Sequence, residues 1–248
     1  MPGILEACVN SAVSATEAQA GGADRIELCG NMQEGGCTPG AGTILFTRQR
    51  LKIPVMVMIR PRGADFCYSE DEFLVMEDDI RFVKEAGADG VVFGILKPDG
   101  TVDIERMGRL AEIARPLSLI CHRAFDMCSD PFKSIDDLIQ LGFNRLLTSG
   151  QEDSAEKGAG LIRDLIRHAN NRITVMPGHG IKEHNLKKVM ELTGAAEFHI
   201  YLTKQVPSVM KFTRNGVSMG KPGLSEYETL VVDRERIQRA KEILMKSR

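Results

Sequence analysis

Short apolar segments alternate along the chain with longer segments of helical periodicity. Eight apolar segments are rich in Val, Ile and Leu, and their first residues lie 21 to 35 residues apart. One strand-helix-strand unit needs roughly 30 residues. The segments span residues 4–9, 25–29, 55–61, 90–96, 117–124, 145–149, 172–177 and 196–202. This period predicts repeated βα units.

A second repeat lies at the junctions before four of these strands. Each junction begins with a glycine, continues through a small or short polar residue and enters the strand at once, at residues 22–27, 87–92, 142–147 and 194–199. Such a glycine takes the left-handed conformation that ends a helix. Eight parallel strands that alternate with helices predict a TIM (β/α)8 barrel.

The barrel accounts for the chain as a single domain, residues 1–248. A polar stretch at 203–226 predicts a long loop, and 227–246 predicts the last helix. A doubly wound open sheet is the alternative fold. It normally carries a glycine fingerprint after its first strand, where this chain has Cys8-Val9-Asn10-Ser11.

Composition excludes several classes of partner. Lys and Arg total 32 against 34 Asp and Glu, for a net charge of −2, which argues against nucleic acid. No basic leader precedes an apolar run, and no apolar run approaches the ~18 residues of a membrane span. We therefore expect a cytoplasmic protein that does not bind membranes. Its six cysteines, none in a CxxC pair, are expected to be reduced thiols.

The first two strands end in the same Glu-x-Cys pattern, Glu6 to Cys8 and Glu27 to Cys29. Alternation places each Glu and Cys on one face of its strand, and neighbouring strands lie ~4.8 Å apart, so the two thiols can approach closely. Soft thiolates without hard ligands between them suit Cu(I). The alternative is that both cysteines are small buried hydrophobic residues.

Charged residues end the third and fifth strands, where a TIM barrel places its active site. Arg60 is predicted to clamp a carboxylate or phosphate, or to form an internal ion pair with Glu6 or Glu27. His122, followed by Arg123 and Asp126, is predicted to be a general base or a metal ligand, with Asp126 fixing its tautomer. A purely structural histidine is the alternative.

The last three strands end in residues that suit an anion. Ser149 and Gly150 follow the sixth strand, Gly178 and Gly180 follow the seventh, and His199 lies on the eighth. Glycine turns after late strands bind phosphate in many barrels, although they can equally be plain turn glycines. His179 and His184 are weak candidates for further ligands.

Five segments together resemble the copper homeostasis CutC family, over nearly the whole chain. They span residues 6–9, 21–29, 58–63, 122–126 and 147–150. The resemblance implies a TIM barrel, a cytosolic homo-oligomer (dimer or tetramer), a role in copper tolerance, and Cu(I) ligation by Cys8 and Cys29. His179 departs from the small residue expected in its glycine turn.

Two functions follow. In the first, Cys8 and Cys29 hold Cu(I) for buffering or trafficking, with or without a third donor. In the second, the chain is an enzyme of lyase, isomerase or hydrolase type acting on a small anionic metabolite, with or without a phosphate group. Arg60 and the glycine turns would bind this anion, while Glu6, Glu27 or His122 transfers protons.

Overall fold

The computed structural model describes residues 3–214, 216–217, 219 and 225–246. Its strands are β1 Ile4–Val9, β2 Arg25–Leu28, β3 Val55–Met58, β4 Gly90–Phe93, β5 Ser118–Cys121, β6 Arg145–Thr148, β7 Thr174–Pro177, β8 Glu197–Ile200, β9 Thr203–Pro207 and β10 Glu228–Val232. Its helices are α1 Ala12–Ala20, α2 Ala41–Arg50, α3 Glu70–Glu85, α4 Ile104–Ala114, α5 Pro131–Gln140, α6 Ala159–Ala169, α7 Glu183–Thr193 and α8 Arg234–Lys246.

Strands β1 to β8 form one parallel sheet in the order β7-β6-β5-β4-β3-β2-β1-β8. The first strand therefore pairs with both the second and the eighth, which curls the sheet into a nearly closed barrel. The remaining seam is tight, because a Cβ on Gly178, just after β7, would lie 3.2 Å from the Cβ of His199 on β8. The predicted TIM barrel is confirmed.

Local sequence signals explain where the helices begin and end. The Ser69 side chain caps α3 in a reciprocal capping box with Glu72, and Asp103 and Asp130 cap α4 and α5. All four predicted junction glycines have positive φ, between 71° and 90°: Gly22, Gly87, Gly142 and Gly194. Each lets the chain leave its helix and enter the next strand directly.

Alternation along the strands divides the apolar residues into two cores. The large core lies between the sheet and the helices and contains Leu5 and Ala7 of β1 with residues such as Phe73 and Ile80 of α3. A much smaller core inside the barrel consists of Cys8, Cys29, Met56, Met58, Val92 and Ile120. The cysteines at the ends of β1 and β2 therefore face the barrel interior.

The predicted loop 203–226 and helix 227–246 have the wrong boundaries. Thr203–Pro207 and Glu228–Val232 pair as an antiparallel hairpin, so the loop is shorter, and the last helix begins at Arg234. The β-branched residues Thr229, Val231 and Val232 favour a strand. The Asp233 carboxylate accepts hydrogen bonds from the N–H groups of Glu235 and Arg236, which starts the helix there.

Most barrel strands end earlier than predicted, because loop contacts replace the sheet hydrogen bonds at the barrel mouth. The segment predicted at 55–61 forms a strand only over Val55–Met58, and the Arg60 N–H donates to the Thr38 hydroxyl at 3.0 Å. The segment predicted at 117–124 ends at Cys121, after which Arg123–Met127 forms a 3-10 turn. These shortened ends build the mouth described next.

Candidate functional site

The two predicted metal-ligand cysteines lie together at the floor of the barrel mouth. Cys8 is 3% exposed and Cys29 is 1% exposed. The Cys29 N–H donates to the Val9 carbonyl at 2.9 Å, which fixes its strand end against that of Cys8. The neighbouring Cys29 thiol outweighs burial and, with the nearby His199, lowers the pKa of Cys8 to about 6. The same thiol contact, with burial, raises the pKa of Cys29. The pair therefore gives up one proton easily and retains the other.

Thioether sulphurs surround this thiol pair. The Met32 sulphur lies 3.9 Å from the Cys8 sulphur, on a 3-10 turn at Met32–Glu34 that follows β2. Met56 and Met58 belong to the same small interior core as the two cysteines. Gly36 keeps the loop close, since a Cβ there would lie 3.3 Å from the Cys29 sulphur. The surroundings of the thiols are thus rich in soft donors.

A mixed donor set also includes Cys8. Within the described residues, ligand atoms of Cys8, Glu27 and His199 all lie within 4.8 Å of one another. His199, however, has Nδ1 2.7 Å from a Glu6 oxygen and Nε2 3.7 Å from a Glu27 oxygen. Burial opposes charge on its ring, but Glu27, Cys8 and Glu6 outweigh it and raise the His199 pKa well above its usual value. A protonated His199 has no lone pair for a metal.

Glu27 lies between the thiols and His199. The Cys29 thiol donates to one of its carboxylate oxygens at 3.3 Å, while the other oxygen is buried and has no hydrogen-bond partner among the described residues. Burial raises the pKa of Glu27 to about 8, against the opposing charge of His199. Glu27 is therefore a carboxyl group that can hold a proton near neutral pH.

Glu6 belongs to an ion-pair network toward the N-terminal ends of the strands. Arg25 pairs with Glu6 and, at 2.6 Å, with Glu197, which Arg145 also contacts at 2.8 Å. Burial would raise the pKa of Glu6, but Arg25 and His199 outweigh it and lower the pKa to about 2. Glu6 therefore positions His199 and Arg25 and stays ionised.

Arg60 holds the loops of the mouth together. Its guanidinium donates to the carbonyl oxygens of Glu34 at 2.7 Å, Gly36 at 2.8 Å and Ala64 at 2.8 Å. Within the described part of the chain, Arg60 forms no ion pair with Glu6 or Glu27, the two partners that the sequence analysis offered as an alternative. The guanidinium also lies over the Phe66 ring, 4.9 Å from its centre.

His122 also packs against Phe66, with ring centres 5.1 Å apart. Its Nδ1 accepts the Ala124 N–H at 3.2 Å, so the backbone, and not Asp126, fixes its tautomer. The Nε2 atom is buried and has no partner among the described residues. Burial and the charge of Arg60 lower the pKa of His122 to about 3, which keeps the ring neutral.

Asp126 is occupied in a local network. It accepts hydrogen bonds from the side chains of Arg123 and Thr148 and from the N–H groups of Ser149 and Gln151. The Ser149 hydroxyl also contacts Arg123 at 2.9 Å. This network fastens the 3-10 turn after β5 to the end of β6.

A cavity of about 530 Å³ joins these groups at the mouth. Seven predicted site residues line it: Cys8, Glu27, Cys29, Arg60, His122, Arg123 and His199. Glu6, Asp126, Ser149, Gly150 and Gly178 do not line it. Gly150 instead packs against Gly158, and Gly178 packs against Leu147 and His199. The structure thus brings Glu27 and the cysteine, arginine and histidine candidates together at the cavity and leaves Glu6, Asp126 and the small residues outside its lining.

Several cavity residues were not predicted from the sequence. They are Met32, Glu34, Gly35, Phe66, Ile181, Lys182 and Tyr201. The spacing of Cys29 and Met32, three residues apart, is a signal that could have identified Met32. His179, a weak candidate, does line the cavity and has a φ of 73°, a strained conformation for a residue with a side chain. His184, the other weak candidate, is not part of the lining.

The fold and the site define a TIM-barrel protein with a thiol pair at the floor of a small-molecule-sized cavity. The CutC family model matches residues 3–204. The chain belongs to the CutC family.

Similar proteins agree with this assignment. A family protein CutC of Parabacteroides distasonis is 48% identical over 240 residues, covering 96% of this chain and 99% of that protein. The copper homeostasis protein cutC homolog of Homo sapiens is 49% identical over 231 residues, covering 93% of this chain and 85% of that protein. A CutC crystal structure from Streptococcus agalactiae has a TM-score of 0.76 at 36% identity, covering 79% of this chain and 97% of that chain.

The hydropathy of the helices bears on membrane insertion. Among the helices of the described residues, none combines the length and the apolar character needed to cross a bilayer.

Proposed function

We propose that this chain binds Cu(I) through Cys8 and Cys29 and acts in copper homeostasis, as a buffer or a trafficking protein in the cytoplasm. The observation that carries the proposal is the pair of interacting, buried thiols at the floor of an open cavity. Its human relative is called a copper homeostasis protein homolog, which supports the same role. A homo-oligomeric state, dimer or tetramer, is part of the proposal.

The donor chemistry fits this ion. Cu(I) is a soft cation that prefers thiolate and thioether ligands. Cys8 ionises readily, Cys29 lies against it, and the Met32 sulphur is 3.9 Å from the Cys8 sulphur. These three residues would hold the ion, with Met32 as the third donor. Binding would displace the remaining thiol proton, so that Cu(I) uptake releases protons.

The mixed set of Cys8, Glu27 and His199 fits Cu(I) less well. Its oxygen and nitrogen donors are harder, and the Nδ1 atom of His199 is already engaged by the Glu6 carboxylate at 2.7 Å. We therefore assign His199 to charge balance beside the Cys8 thiolate. Glu6 supports this role by holding the His199 ring in place.

An anaerobic Cu(I) titration against a chromophoric chelator tests this proposal. Loss of an outer hydrogen-bond partner typically costs a metal site 10–100-fold in affinity, so loss of a ligand is expected to cost about 100-fold or more. Cys8→Ser and Cys29→Ser should each show that loss, and Met32→Leu a smaller one. Cys67→Ser, at an exposed cysteine, is the matched control. Wild-type affinity in Cys8→Ser and Cys29→Ser would overturn the proposal.

A further inference from the structure

The cavity above the thiols is much larger than a copper ion requires. Its volume of about 530 Å³ lies within the ~300–1,000 Å³ range of small-molecule sites. Apolar side chains form part of its wall, namely those of Met58, Phe66, Leu147 and Ile181. A small organic molecule can therefore fit above the thiol floor and contact this apolar wall.

His122 offers this cavity a hydrogen-bond donor with a known tautomer. The residue is 3% exposed, and its Nδ1 atom accepts the Ala124 N–H. Because a neutral imidazole carries one proton, that proton must be on Nε2. This buried Nε2–H has no partner in the described part of the chain, and His122 lines the cavity. A buried donor without an acceptor costs free energy unless a ligand supplies one.

Tyr201, which follows β8, contributes a second group of the same kind. Its hydroxyl is buried, has no hydrogen-bond partner among the described residues and belongs to a side chain that lines the cavity. A tyrosine hydroxyl, with an ordinary pKa of about 10, is protonated near neutral pH and can donate a hydrogen bond. Two unpartnered donors therefore come from strand ends far apart in the sequence.

The charged side chains that line the cavity are of both signs: Arg60, Arg123 and Lys182 are cationic, and Glu27 and Glu34 are acidic. Arg60 is buried, and its recorded hydrogen bonds go to three backbone carbonyls, so hydrogen bonding to a carboxylate does not neutralise it within the described residues. Lys182 adds a further positive charge to the lining. Among the described residues, the Lys182 ammonium group has no hydrogen-bond or ion-pair partner. A buried guanidinium group near unpartnered hydrogen-bond donors is typical of oxyanion recognition.

We propose that this cavity binds a small organic anion, whose carboxylate or phosphate oxygens accept hydrogen bonds from His122 Nε2–H and Tyr201 O–H near the charge of Arg60. Its organic part packs on Phe66 and the other apolar residues of the wall. This site goes beyond the copper proposal, because none of its three polar groups is a copper ligand.

Calorimetric titration of metal-free, reduced protein tests this site. The probes are malonate as a carboxylate, glycerol 3-phosphate as a phosphate ester, inorganic phosphate, and glycerol as a neutral control. We expect saturable binding of malonate or glycerol 3-phosphate, weaker binding of inorganic phosphate, which lacks the organic part, and no binding of glycerol. The better anion identifies which oxyanion the site takes.

Two conservative variants test the assigned donors. Tyr201→Phe removes only the hydroxyl, and His122→Asn keeps an acceptor for the Ala124 N–H while removing the Nε2 donor. Each should weaken anion binding about threefold to tenfold, the usual effect of one lost hydrogen bond. His184→Asn, outside the cavity lining, is the matched control and should bind like wild type.

Three results would overturn the site: no saturable heat with either organic anion, equal affinity for glycerol, or unchanged affinity in both Tyr201→Phe and His122→Asn. Cys8→Ser separates this site from the copper site, because it should lose Cu(I) and keep the anion. If the wild-type protein did not bind copper, anion binding in this cavity would still stand. If it did not bind the anion, the copper proposal would still stand.

Discussion

The two ends of the barrel interior treat buried polar groups in opposite ways. Toward the N-terminal ends of the strands, Glu6, Arg25, Glu197 and Arg145 form a continuous ion-pair network. At the C-terminal ends, Glu27, His122 and Tyr201 each keep a buried polar atom without a partner among the described residues. At the paired end, residues of the chain itself neutralise the buried charges, so this end has a structural role. The unpaired end is incomplete without a ligand, which is why we place function there.

Breaking the paired end should have the largest effect on stability. Arg25→Met leaves the buried Glu6 without its main counter-charge and leaves Glu197 with Arg145 alone, and breaking a buried ion pair in this way typically costs about 3–5 kcal/mol. Urea unfolding measures the change in the free energy of unfolding. Arg145→Met is the control and should cost less, since Arg145 is more exposed and Glu197 retains Arg25. A loss below about 1 kcal/mol for Arg25→Met would contradict the architectural role.

The same network predicts a pH dependence through Glu6. Its pKa in the folded protein is about 2, below the ordinary 4.5, so its stabilising contribution is present above 4.5 and is lost as the pH falls toward 2. A shift of this size corresponds to about 3 kcal/mol. The stability difference between wild type and Glu6→Gln, measured by urea unfolding, should therefore shrink as the pH is lowered from 5 to 3. A constant difference across that range would count against the ion-pair assignment.

At the unpaired end, one cysteine should ionise early. The pKa of Cys8 is about 6, so thiolate absorbance near 240 nm should gain one equivalent as the pH rises through 6. Cys8→Ser should lose this step. Cys128→Ser is the control and should keep it, because burial raises the pKa of Cys128. An unchanged step in Cys8→Ser would assign the early thiolate to another cysteine.

The smallest loss of stability is expected from deleting an unpaired group. Tyr201→Phe removes a buried hydroxyl that has no protein partner among the described residues, and because such a hydroxyl is itself destabilising, the free energy of unfolding should stay the same or rise. Thr148→Val provides the contrast, because the Thr148 hydroxyl donates to Asp126 and accepts the Gly150 N–H. That variant should lose about 1–3 kcal/mol in the same chemical denaturation series. Similar losses in both variants would remove the distinction between paired and unpaired groups.

The barrel was predictable because each βα unit carries its own signals. The positive-φ glycines Gly22, Gly87, Gly142 and Gly194 mark the junctions in the sequence itself. The hairpin of β9 and β10 was missed because its strands are separated by a long segment, so their pairing is not a local signal. The apolar residues of 228–232 were instead assigned to the following helix.

The sequence was enough to predict most of the side chains that form the site, but not the groups to which those side chains bind. Strand adjacency places Cys8 beside Glu27 in the register of β1 and β2, and alternation puts Cys29, two residues further along the chain, on the same face. Arg60 differs, because its partners Glu34, Gly36 and Ala64 lie on loops whose paths the sequence does not specify. Met32 reaches Cys8 only because a 3-10 turn folds back over the barrel mouth.

The central claim is that soft sulphur ligands at the unpaired end of the barrel hold the metal. X-ray absorption at the copper edge of the one-to-one Cu(I) complex tests it directly, because it identifies the atoms bonded to the ion. Our account predicts sulphur neighbours only, two or three in number, from Cys8, Cys29 and Met32. Nitrogen or oxygen neighbours, as expected for coordination by His199 or Glu27, would contradict it.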